Sequence, residues 1–136
     1  MRELLQVNTS AIKEELIEKA AKLSDIALDK AYGYGLSNDI TSFGYKANKL
    51  SATYGLHEFF YGEGLGINDI EAVACAVHDG WSHAAYHVND PKYLTQPHKK
   101  INRLILADTP YSKLNESEKE KDRVIARSII DFLKSY

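Results

Sequence analysis

One line of apolar residues restricts the fold of this chain more than any other feature. Ile70, Val73, Ala74, Val77 and Trp81 fall at i, i+3, i+4, i+7 and i+11, a continuous stripe on one face of an α-helix. The spacing predicts a helix over 69–87. Asn68 and Glu71 open it as a capping-box-like pair, with Asn in the place of the usual Ser or Thr. A second stripe of Val124, Ile125, Ile129, Phe132 and Leu133 predicts a helix over 116–135. Asn115 and Glu118 repeat the cap there, and Glu116 and Glu118 sit where the helix dipole favours negative charge. Ile12, Leu16, Leu23, Ile26 and Ala27 predict a first helix over 10–31, capped by Ser10 or Thr9 and stopped by Gly33-Tyr34-Gly35. Another is expected over about 38–53, capped by Ser37 or Asn38, with a loop after it. Residues 88–100 are polar, carry Pro91 and Pro97, and read as loop. The run 101–107 is a helical turn or an extended segment, which periodicity cannot decide. No strand-like alternation competes. The expectation is an all-α fold, a small bundle of about four helices. Helices 69–87 and 116–135 should pack antiparallel in its C-terminal half, burying Val73, Val77, Ile125, Ile129 and Phe132.

Length and composition then remove whole classes. A chain of 136 residues has room for one domain, 1–136. With 44% hydrophobic and 26% charged residues it is neither disordered nor fibrous. The single Cys75 excludes an intrachain disulfide and any zinc site built on two or four cysteines. It falls within the apolar stripe and is expected to be buried and inert. Seventeen basic residues against nineteen acidic give a net charge of −2, so no duplex nucleic acid partner is indicated. The opening Met1-Arg2-Glu3-Leu4-Leu5-Gln6-Val7 is too short an apolar run for a signal core, and no window reaches 18 apolar residues. No membrane partner is expected, and a cytoplasmic location is.

The segment 32–67 is unusual. Seven of the eight glycines lie between Gly33 and Gly66, interleaved with Tyr32, Tyr34, Phe43, Tyr45, Tyr54, Phe59, Phe60 and Tyr61. Core filling with glycine turns is one reading; an aromatic cleft for a flat ligand is the other. Gly62-Glu63-Gly64-Leu65-Gly66 lacks the Lys-Ser/Thr ending of a phosphate loop, and Glu63 would repel phosphate.

Two further segments belong together: Val77-His78-Asp79-Gly80-Trp81, and Pro110-Tyr111 with Leu114, Glu118-Lys119 and Asp122-Arg123. Over residues 68–135 the chain resembles the RyR domain, a small module first named from ryanodine-receptor channels and also found in bacteria and their viruses. The family's Gly-Trp-x-Tyr-Gly element is missing. Tyr86-His87-Val88-Asn89-Asp90 stands in that region, so the loop between the two helices is rebuilt. The resemblance implies a nucleotide-like ligand beside Trp81.

Trp81 could stack on a purine or simply fill the core. Arg123 could clamp a phosphate or carboxylate, or pin two helices through an acidic partner. The ligand-binding set read from the sequence is Trp81, Tyr86, His83, Tyr111, Lys119 and Arg123. No catalytic residue, metal or cofactor is expected. The leading expectation is non-catalytic binding of a nucleotide-derived small molecule, as a sensor or sponge for an adenine-nucleotide messenger. One alternative is a protein-interaction domain pairing copies through 32–67 into a homodimer or higher oligomer. The other is an HD-type metal phosphohydrolase using His57, His78-Asp79 and Asp108 or Asp122, or a variant using His83 and His87 as metal ligands.

Overall fold

The helix built on the Ile70–Trp81 stripe is the hub on which the others pack. The computed structural model describes residues 1–62 and 69–136. Among these residues there are five α-helices: α1 (Glu14–Tyr32), α2 (Phe43–Tyr61), α3 (Ile70–His87), α4 (Pro97–Asp108) and α5 (Glu116–Lys134). Short 3-10 turns lie at Thr9–Ala11, Pro91–Leu94 and Tyr111–Lys113, and the described residues hold no strand. The all-α class holds, with five helices rather than about four. None of the described helices is long and apolar enough to cross a membrane.

α3 packs on α2, α4 and α5, while α1 packs on α2 and α5. Val73, Val77, Ile125 and Ile129 are buried together as the stripes require, and Phe132 packs against them only partly buried. Two glycines let neighbours approach α2 and α3 closely, Gly80 at the α2–α3 crossing and Gly55 where Ile129 of α5 meets α2. A Cβ on Gly80 would lie 2.5 Å from the Leu50 carbonyl oxygen, and one on Gly55 would lie 2.8 Å from Ile129 Cδ1. A smaller apolar cluster of Phe43, Ala47 and Ala84 sits apart from this core, with Trp81, Leu50 and Val88 against it.

Several local expectations need correction. α1 starts at Glu14 after Lys13, which makes no side-chain cap. Neither Ser10 nor Thr9 caps it; Asn8 caps the preceding 3-10 turn through the Ser10 N–H. The buried face of α1 is Ile17, Ala20, Ala21 and Ser24, and Ile26 is exposed. The expected stripe was misphased because Ile12, although buried, lies before the helix. Gly33 does stop α1, in the left-handed conformation at φ 71°.

α2 begins at Phe43, not near residue 38. Its cap is Ser42, whose Oγ accepts the Tyr45 N–H at 3.1 Å, and neither Ser37 nor Asn38 takes that role. The helix continues to Tyr61 where a loop was expected. Asp69 caps α3 by accepting the Glu71 N–H at 2.9 Å; the predicted cap Asn68 lies outside the described residues, as does most of 62–66. Residues 88–100 are a 3-10 turn leading into α4, which begins on Pro97. A proline at the first helical position loses no helical hydrogen bond, so it starts this helix rather than breaking it. Asn115 caps α5 through the Glu118 N–H at 2.9 Å, as predicted. Cys75 is exposed, not buried. It stands one residue past Ala74 and therefore about 100° around the helix from the buried face.

Candidate functional site

The stripe on α3 ends at Trp81, and there the packing changes from aliphatic to aromatic. Phe43, the first residue of α2, meets the Trp81 ring edge-on, with centroids 6.4 Å apart and planes at 87°. His78, three residues before Trp81 on the same face, lies nearly parallel to it at 6.2 Å and 12°. Behind Phe43 stands Arg103 of α4, its guanidinium 3.8 Å from the ring centroid. Arg103 is held in turn by Asp90 at 2.7 Å and by the Tyr93 hydroxyl at 3.1 Å. These groups form a row of Arg103, Phe43, Trp81 and His78, anchored at its far end by a buried carboxylate.

Phe43, Trp81 and His78 of this row line a cavity of about 400 Å³, with Arg103 behind Phe43, within the size range of small-molecule sites. The lining also carries Asp25 of α1, Asn48 of α2, Lys121 and Asp122 of α5, and Tyr34 of the α1–α2 linker. Asp25 ties that linker down: its carboxylate accepts the Ser37 N–H at 2.7 Å and the Asn48 amide at 3.2 Å. Lys121 is partly exposed, 3.4 Å from Glu118 and 5.9 Å from the Tyr34 ring centroid.

His78 and Asp122 face one another across α3 and α5, with Nδ1 and Oδ2 3.7 Å apart. The buried His78 places Nε2 2.7 Å from the Thr109 carbonyl oxygen. A carbonyl only accepts, so Nε2 carries the hydrogen and Nδ1 of the neutral ring is a bare acceptor. Burial lowers the His78 pKa and keeps the ring neutral. Asp122 is raised well above the usual carboxylate range, first by burial and then by the nearby Glu118. No described residue donates a hydrogen bond to it.

Of the six residues expected to bind ligand, Trp81 alone lines this cavity. Arg123 is engaged elsewhere. It donates to Glu71 of α3 at 2.6 Å and to Glu116 at 2.9 Å, so it pins two helices, which is the structural role foreseen for it. Tyr111 donates its hydroxyl to the same Glu71 at 2.8 Å. Lys119 lies 3.8 Å from Glu116 and 5.7 Å from the Tyr111 ring centroid. These three form one polar cluster around Glu71 and Glu116, with Glu71 shared by Arg123 and Tyr111. The Glu71 carboxyl is pulled below the usual range chiefly by the Arg123 hydrogen bond. Tyr86 accepts the Arg2 backbone N–H and donates to Asp108 at 2.6 Å. His83 shares a 2.9 Å hydrogen bond with the Tyr54 hydroxyl. The expected set thus divides into four places.

The residues of the HD-type alternative are divided as well. Asp79 turns away from His78 to Arg2, at 2.7 Å, and accepts the Leu5 N–H at 3.0 Å. His57 packs on Tyr61. His83 and His87 are neighbours, with ring centroids 4.9 Å apart. Among the described residues no three His, Cys, Asp or Glu side chains lie close enough to hold a metal ion.

Asn48, Arg103, Lys121 and Asp122 are functional candidates that motif reading passed over, apart from Asp122 as a metal ligand; Phe43 stands among the aromatics of the cleft reading. A local signal existed for two groups. Asp122 falls at i−3 and i−7 from Ile125 and Ile129, and His78 at i−3 from Trp81, so both ionisable groups lie on core-facing stripes. Comparison with protein-family models, with curated proteins and with solved structures returns no match.

Proposed function

We propose that this protein binds, without altering it, a small molecule with a flat heterocycle, of the nucleotide-derived kind, and that the heterocycle enters the cavity beside Trp81. The observation carrying this reading is the aromatic row of Phe43, Trp81 and His78 on a 400 Å³ cavity whose lining also carries the polar groups of Asn48, Lys121 and Asp122. Such a row offers stacking and such polar groups offer orientation. Lys121 is the cation on the cavity lining, with 38% of its side chain exposed. It is the group here suited to a phosphate on the same ligand, held towards solvent. The resemblance of 68–135 to the RyR domain supports the same class of ligand beside Trp81, and the contact between α3 and α5 is compatible with that family's helix pair. A sensor or sponge role follows from binding without chemistry. The separation of Asp79 from His78 supports that over the metal phosphohydrolase.

The test is retention. Excess protein is incubated with a panel of adenine nucleotides, freed of unbound ligand, heat-denatured, and the supernatant analysed. Intact ligand is the expected result. A product formed only with divalent metal would replace this reading with the enzyme, and no retention at all would remove it. In the same assay Trp81→Ala should weaken binding by roughly 1–3 kcal/mol, the loss of one base–aromatic stack.

A second reading has its own observation. The α1–α2 linker leaves Tyr34, Leu36 and Ile40 exposed, an apolar strip of the kind that pairs copies. Tyr34 also lines the cavity, so self-association through this strip would close over the site. Sedimentation across a concentration series, with and without nucleotide, reads it directly.

A further inference from the structure

The polar lining of the cavity is more specific than a set of donors. Asp122 projects from the core stripe of α5 with 13% of its side-chain surface exposed, and it lines the cavity beside Trp81. Its neighbour at 3.7 Å is the Nδ1 of a histidine whose Nε2 is already committed to the Thr109 carbonyl. A bare Nδ1 and an ionised carboxylate would face each other lone pair to lone pair. One proton between the two groups removes that repulsion. At 3.7 Å the pair is too far apart for a direct hydrogen bond, so the proton is left available to a third group.

Resting on the function proposed above, we propose that Asp122 works as a neutral carboxylic acid that reads the edge of the ligand's heterocycle, donating one hydrogen bond and accepting another. The matching edge carries an acceptor beside a donor, as the N1 and 6-amino group of adenine do. Trp81 supplies the stacking face and Asp122 the edge recognition.

The charges around Asp122 agree with a neutral acid. On its own helix Glu118 disfavours ionisation and Lys121 favours it. From α3 it faces neutral His78 and, further off, Asp79, which is itself neutralised by Arg2. From α1 the cavity wall brings Asp25, and α2 contributes only the uncharged Asn48 and Ser51. Carboxylates outnumber cations, and burial adds to their effect.

The experiment is binding of adenosine to the intact protein, read by fluorescence of the single Trp and by calorimetry, for wild type, Asp122→Asn and Asp122→Leu. An amide keeps one donor and one acceptor without charge, so Asp122→Asn should bind within about threefold of wild type. Asp122→Leu should bind at least about tenfold more weakly, the loss of two ordinary hydrogen bonds. Purine riboside, which lacks the 6-amino group, should bind wild type several-fold more weakly than adenosine. Wild-type affinity should fall as pH rises through the Asp122 titration, and the fall should vanish in Asp122→Asn. Loss of binding in Asp122→Asn with its helical spectrum intact, affinity that rises with pH, or equal binding of the two nucleosides would overturn the inference while leaving the proposed function standing. If neither adenosine nor its nucleotides bind wild type, both fall.

Discussion

Asp122 is a carboxyl group on an apolar line, and its chemistry can be checked without any ligand. Its folded-state pKa is raised above the ordinary 3.8 by burial and by Glu118. A raised carboxyl pKa means that the native state prefers the protonated form. The group's contribution is therefore most favourable in acid, below the unfolded value, and is lost as pH rises through the folded value. Asp122→Asn removes this dependence. The variant should melt above wild type at neutral pH, and the difference should shrink as the solution is acidified, which thermal melts at a series of pH values will show. Asp79 is held by an ion pair. It is buried, and Arg2 neutralises it while also donating to Ser82 and to the Ala107 carbonyl. Arg2→Ala leaves that carboxylate without its cation. The expected loss is about 3 kcal/mol, the usual result of removing one partner of a buried pair, measurable by urea denaturation at neutral pH.

Between elements, the α2–α3 crossing depends on the absence of side chains. Gly80 faces the α2 backbone at Leu50 and Ser51, which cannot rotate aside as a side-chain tip would. Gly80→Ala gains up to about 1 kcal/mol of helix propensity but forces α2 and α3 apart, and overpacking of this kind costs about 1–3 kcal/mol. The net effect should be destabilising, with weakened binding at Trp81 one residue away; a variant as stable as wild type by chemical denaturation would show that the crossing can relax. This crossing also explains what could be read from the sequence. The strong stripes of α3 and α5 marked their helices to within one or two residues because one face is aliphatic and the other polar. α2 was legible only in part. Its buried residues mix small ones, Ala47, Ser51, Ala52 and Gly55, with Phe43, Thr53, Tyr54 and Leu56, so no single apolar stripe marks where the helix starts or stops. α4 buries only Ala107 and leaves Ile101 and Ile105 exposed, and its apolar run is too short for periodicity to separate helix from strand. The site was legible at Trp81, the end of a stripe. Arg123 stayed ambiguous because a guanidinium looks the same in sequence whether its anionic partner is a ligand or Glu71.

At the scale of the whole molecule, the cavity is where the five helices meet. Asp25 and Leu28 come from α1, Asn48 from α2, His78 and Trp81 from α3, Leu106 from α4, and Lys121, Asp122 and Ile125 from α5. Trp81 belongs to the smaller apolar cluster, while Leu106 and Ile125 belong to the main core, so the cavity joins the two packed regions. A ligand filling that cavity would border residues of all five helices. Binding should therefore stabilise the molecule globally rather than locally. For a ligand that binds only the folded form, a concentration one hundred times its Kd adds about 2.7 kcal/mol. For a domain of this length that is a rise in Tm on the order of 10 °C. The single Trp lies at the junction, so its fluorescence should report the same transition as the helical circular dichroism signal, with coincident midpoints. Both midpoints should move together as the nucleotide is added. If the fluorescence transition moves alone, or precedes the loss of helix, the region around Phe43 and Trp81 unfolds as a separate unit and the ligand ties down that unit rather than the whole chain.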